Sequence, residues 1–171
     1  MRKHNGMRPQ DVAVLLKIIS LNKPNWILTT LAAEIKLSIS ELSESLNRSR
    51  ISSLIDYNKK QVNRNNFLEF LEHGIKYVFP QSPGTMVRGT PAAHSHPSMK
   101  KKFISNIDYV WADKNGKVMR LEIEPFYSKQ VEAAKIDEIF YKLLSLTDLL
   151  RVGKIREQKY AVSELKKEFR I

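Results

Sequence analysis

The sequence contains no cysteine among its 171 residues. Disulfides and thiolate zinc sites are therefore excluded, and the expected compartment is a reducing one, the cytoplasm. No apolar run approaches the roughly 18 residues needed to cross a bilayer, so no membrane partner is expected. The opening Met1-Arg2-Lys3-His4-Asn5-Gly6 leads straight into an amphipathic pattern, with no signal-peptide core. No Gly-rich phosphate loop, nucleophile elbow or two-histidine helical zinc motif occurs, and no internal repeat. Neither an enzyme nor a resident cofactor is expected. Acidic residues are in deficit: 18 Asp and Glu stand against 29 Lys and Arg, a net charge of +11. Such an excess concentrates polyanions around a protein, because each neutralised phosphate releases counterions. Charge thus favours nucleic acid as the partner class.

The periodicity is mainly helical. Arg8-Pro9-Gln10-Asp11 has the Pro and the acid that suit a first helical turn, and Val12, Leu15, Leu16 and Ile19 follow at helical spacing. This predicts a helix over about 9–21, broken by Lys23-Pro24-Asn25. A second, starting near Thr29, turns Leu31, Ala32 and Ile35 inward. A third runs over about 39–49 behind Ser38-Ile39-Ser40-Glu41, a capping-box pattern. Leu54 to Val62 suggests a short hairpin. Asn63 then caps a helix carrying Phe67, Phe70, Leu71, Ile75 and Val78. Residues 81–106 are expected to form a Gly/Pro/His-rich loop, and 107–126 two strands around a turn at Asn115-Gly116. Two helices close the chain, over about 136–150 and 154–169. The expected fold is α+β: an N-terminal winged helix-turn-helix with its following helix in 1–80, then the loop, then a hairpin and two helices in 107–171.

Helix, helix, tight turn, helix and hairpin is the plan of a winged helix-turn-helix domain. Two steeply crossing helices need small side chains where they touch, and Ala32 or Ala33 supplies one. Leu31, Ile35, Leu37, Leu42 and Leu46 fill the shared core. Ser40, Ser43, Glu44, Asn47 and Arg48 remain for the outer face of the third helix. Hydroxyls bond phosphates or bases, Asn reads adenine, and Arg reads guanine or holds phosphate. Glu44 is expected to pair with Arg48 four residues on, or to accept from a cytosine amino group. Arg50 suits a backbone contact, and Lys59 and Lys60 in the wing suit the adjacent minor groove.

The stretch "LAAEIKLSISELSESLNR" resembles the corresponding segment of bacterial MarR-like winged-helix transcription regulators, over about residues 8–62. "FLEHGIKYVFP", "RGTPAAHS" and the tail from Val110 to Glu157 resemble a poorly characterised bacterial group labelled as such regulators. The resemblance implies a DNA-binding repressor or activator with Ser40, Ser43, Asn47 and Arg48 on its recognition face. It departs after the wing, where MarR-like proteins dimerise through long terminal helices.

Other readings compete. His94 and His96, with Glu122 and Glu124, are the weak candidates for a metal site; strand alternation alone would align each pair, so no metal is assigned. Arg88 with His94 could hold an anionic small-molecule effector. The apolar stripe 136–150 is expected to serve a homodimer, since pseudo-palindromic sites need two reading helices about one DNA turn apart. The basic tail is expected to be a solvated face. The alternative function is a protein-interaction module, such as an antitoxin-like partner.

Overall fold

The computed structural model describes residues 6–171, so the opening five residues discussed above lie outside it. The fold is α+β. The chain forms two compact units, Met1–Phe67 with Phe126–Phe140, and Leu68–Pro125 with Tyr141–Ile171. The division falls within a helix rather than at residue 80, and a later segment returns to the first unit. Among the described residues, no helix is long and apolar enough to cross a membrane.

The first unit is built on α1 (Pro9–Leu21). Val12 to Leu16 are fully buried and Ile18 and Ile19 nearly so, which leaves α1 without a solvent face. Its polar residues Asp11, Lys17 and Ser20 are buried too and need partners, because an unpaired buried charge is very costly. Asp11 binds Arg48 and the Arg8 N–H. Lys17 reaches Asp137 at 2.7 Å and Glu34 at 2.9 Å, and the Ser20 hydroxyl donates to Asp137. Burial would raise the Asp137 carboxyl, but Lys17, the Phe140 N–H and Ser20 together hold it below its usual value.

Asn22 in the left-handed region ends α1. α2 (Leu28–Ile35) ends at Lys36, also left-handed, and α3 (Ile39–Ile51) begins three residues later. The expected hairpin is reduced to one antiparallel bridge, Ile55 with Val62. Its loop is closed by Asp56, whose carboxylate accepts from the N–H groups of Lys60 and Gln61. The short α6 (Gln130–Ala134), which the periodicity does not reveal, belongs to this unit. Just before α6, the Tyr127 hydroxyl donates to the Ile35 carbonyl at the end of α2.

The helix expected over 63–78 is broken at Gly74 into α4 (Arg64–His73) and α5 (Ile75–Val78). Glycine is a poor interior helix residue, which makes this the weak point of the run. In the second unit the expected loop 81–106 contains a strand, β1 (Met86–Ala92). The expected hairpin over 107–126 also needs correction. β2 (Tyr109–Ala112) and β3 (Val118–Glu122) flank a turn in which the Gly116 N–H bonds the Asp113 carbonyl. Yet both strands pair antiparallel with β1, β2 along Gly89–Ala92 and β3 along Met86–Gly89. They therefore run parallel to each other, with Tyr109 opposite Leu121. β1 is a common partner that outcompetes the local hairpin. Gly89 sits where both strands meet it, and a Cβ there would lie 2.2 Å from the Trp111 carbonyl oxygen. The Gly and Pro that mark this segment as loop are what let β1 fit.

α7 (Glu138–Val152) and α8 (Ile155–Phe169) complete the chain. Phe140, Leu143, Leu144, Leu146 and Leu149 of α7 are fully buried within the chain. Each such side chain contributes about 1.5–3 kcal/mol to folding. The stripe 136–150 is therefore core and not a free dimer face; only Ile136 and Ile139, at its start, remain exposed.

Candidate nucleic-acid interface

Ser38 starts α3 with a complete capping box. Its hydroxyl accepts from the Glu41 N–H at 3.2 Å, and the Glu41 carboxylate accepts from the Ser38 N–H and hydroxyl. The side-chain and backbone hydrogen bonds of Ser38 hold the Glu41 carboxyl below its usual range. Glu41 therefore serves the helix start. Leu42, Ser45, Leu46 and Ser49 face inward; the two serines are small enough to let the helix sit close against its neighbours.

The outward side presents Ser40, Ser43 and Glu44 exposed, with Asn47 and Arg50 half-buried. The Arg50 guanidinium donates to the Asn47 amide oxygen at 3.3 Å and lies 5.8 Å from the ring centre of Tyr57. This brings the hairpin to the end of α3, and Tyr57, 83 % exposed, extends the surface. Five expected positions thus share one side: Ser40, Ser43, Glu44, Asn47 and Arg50.

Arg48 does not. It is 6 % exposed, and its Nε and Nη2 donate to the two oxygens of Asp11 at 2.8 and 2.7 Å. The expected Glu44–Arg48 pair gives way to this one because α1 buries a carboxylate that nothing else neutralises. The hydrogen bonds that Arg48 donates to Asp11, against the cost of burial, raise its pKa above the usual value. Lys60 is engaged as well: its ammonium sits 4.2 Å from the Trp26 ring centre and donates to the Trp26 carbonyl, while the Trp26 indole N–H donates to the Lys60 carbonyl. Lys59 takes a left-handed turn conformation, φ 57°, within the hairpin loop. Of the basic residues expected here, Lys60 is exposed, Arg50 and Lys59 are half-buried, and Arg48 is buried and structural.

Two contributors escape sequence reasoning. Arg8 and Gln10, from the start of α1, line with Ser40, Glu41, Glu44 and Arg48 an open depression of ≈ 270 Å³. Their spacing from α3 in sequence hides this; the Arg48–Asp11 pair creates it.

The rival sites do not converge. His94 packs edge-on to Tyr109, with one ring nitrogen on the Ile107 carbonyl and the other 3.7 Å from Glu157. His96 instead meets Ser98 and the Tyr141 ring. Burial, helped by the charge of Lys142, lowers its pKa to about 4, so the imidazole is neutral at ordinary pH. Arg88 donates to the Gly116 carbonyl. Among the described residues, no group of three or more His, Cys, Asp or Glu could hold a metal ion. Asp148, whose carboxyl burial pushes up, is bound by the Trp111 indole and by Arg151, which also reaches the carbonyl of Phe79 and the amide oxygen of Gln81. That network is structural.

No protein-family model matches the chain, and comparisons with curated proteins and with solved structures likewise returned no match.

Proposed function

We propose that the chain is a sequence-specific DNA-binding transcription regulator of the winged helix-turn-helix kind, in keeping with the MarR-like resemblance of residues 8–62. The observation that carries the reading is the outward side of α3: hydroxyls, an amide and a guanidinium on one side of the helix, entered by a three-residue turn and followed by a loop closed by one antiparallel bridge. Such a helix can enter a major groove about 12 Å wide, with Ser40, Ser43 and Asn47 toward base edges and Arg50 toward phosphate. Arg8, Lys59 and Tyr57 flank it. Glu44 is the group that opposes phosphate. The working species is a homodimer on double-stranded DNA, with any effector unidentified.

The test is a duplex titration at two salt concentrations, using DNA from upstream of the chain's own gene and a random-sequence control. Affinity should fall with salt, by about 0.9 in log–log slope per phosphate contacted. Asn47→Ala should cost about 1–3 kcal/mol on cognate duplex and far less on random duplex. Equal losses on the two would overturn base readout by α3, and salt-independent affinity would overturn the phosphate contacts.

A second reading has its own observation. Ile136 and Ile139 are 63 % and 50 % exposed beside Lys17, Leu21 and Glu34 around an open depression of ≈ 530 Å³. An apolar patch of this kind suits a protein partner, and a complex surviving high salt would favour that function.

A further inference from the structure

The positive charge of the chain is not concentrated where DNA reading is proposed. Among the described residues the first unit has 11 bases against 8 acids, and the second has 16 against 10. Four of the second unit's 16 bases lie on α8, with Lys154 and Arg170 at its two ends, and the charges of α8 are sorted by side. Glu157 is buried beside His94, and Glu168 pairs with Lys142 of α7. Glu164 reaches Lys142 and Lys167. All three acids thus lean toward the packed side, which Ala161, Leu165 and Phe169 complete.

Arg156, Lys159, Ser163, Lys166, Lys167 and Arg170 are all exposed. At 3.6 residues per turn they fall within an arc of about 100°, along a helix about 22 Å long. Arg156, Lys159 and Lys166 form no ion pair with a described residue. The neighbouring loop adds to the same side: Lys102 lies 4.8 Å from the Tyr160 ring centre, Phe103 packs edge-on to that ring, and Lys100 and Lys101 are exposed beside them. An ordinary solvated helix gains by interleaving acids and bases at i, i+4. This one turns its acids inward and leaves a one-sign stripe whose self-repulsion an external polyanion would relieve.

We infer that the outer side of α8, with the Lys100–Lys102 turn, is a second nucleic-acid surface that grips the phosphate backbone of duplex DNA without reading sequence. It rests on the DNA-binding reading above for the nature of the polyanion, and it acts independently of α3. The exposed residues of the stripe are bases and Ser163, with Tyr160 and Phe103 half-buried and packed on each other, so it offers mainly charge and little base-edge code.

The experiment titrates the full chain and the triple variant Arg156→Gln, Lys159→Gln, Lys166→Gln with random-sequence and cognate duplexes over a range of salt. The variant should lose about three units of log–log salt slope on both duplexes while the cognate-to-random ratio stays constant. Ser163→Glu, which removes no base, should weaken both duplexes in the same direction. An unchanged slope in a triple variant with native circular dichroism overturns the inference, even where cognate preference persists. The same result accompanied by loss of a salt-sensitive protein complex would assign the stripe to an acidic partner instead, and also overturns it. A salt-dependent grip that needs the stripe, in a chain with no cognate preference, upholds the inference and sinks the α3 reading.

Discussion

Arg48 shows how burial reassigns a residue. On a helix surface it is a natural DNA contact; under α1 it neutralises Asp11 at hydrogen-bond distance. Removing it would strand a carboxylate that has no access to water. Arg48→Ala should therefore cost about 3–5 kcal/mol in urea unfolding, and the hydrophobic pair Asp11→Leu with Arg48→Met should recover part of that. A near-neutral Arg48→Ala would return the residue to the DNA-facing set. His96 makes a second prediction, in pH. Its folded pKa of about 4 lies below the usual 6.5, so below pH 6.5 the unfolded chain takes up a proton that the folded chain refuses. The stability that neutral His96 supports is thus full above pH 6.5 and is lost as pH falls toward 4. Relative to His96→Gln, the wild type's advantage in denaturation midpoint should shrink across that window; a constant gap would show that the imidazole titrates equally in both states.

At the scale of elements, the long helices and the strands flanking Asn115-Gly116 were legible, while β1, α6 and the strand pairing were not. α1, α3, α7 and α8 announce themselves because their apolar spacing and caps are local; the Ser38–Glu41 box sits where the pattern puts it. β1 carries Gly89 and Pro91, which argue against a strand, and its pairing partners lie 17 residues away (Ala92 with Tyr109) to 35 away (Met86 with Leu121). The turn at Asn115-Gly116 was equally legible, but the strand β3 chose as its antiparallel partner was not. Gly89→Ala tests the arrangement. A methyl group at 2.2 Å from a backbone oxygen cannot be absorbed by a rotamer change, so the sheet must open, at a cost of about 3 kcal/mol or more. Amide exchange in β1 and β2 should accelerate with it, whereas exchange confined to the termini would refute the close approach.

For the molecule as a whole, charge is the property that composition states and structure distributes. A net +11 is silent on where a polyanion would lie. In the structure, Lys17 and Arg48 are buried against internal carboxylates, and Arg156, Lys159 and Lys166 are left outside. The duplex titrations separate these scales: α3 should govern the cognate-to-random ratio, and α8 the salt slope common to both.

The sequence by itself determined the long helices α1, α3, α7 and α8, the capped entry to α3 and the turn before it, because each depends on residues within a few positions of one another, and composition alone set the excess of positive charge. The tertiary structure decided which charges are available. Asp11 and Arg48 are 37 residues apart and Lys17 and Asp137 are 120 apart. Nothing in local periodicity links such pairs. They meet only because an all-buried helix must find a counter-charge for each ionised group it takes out of water.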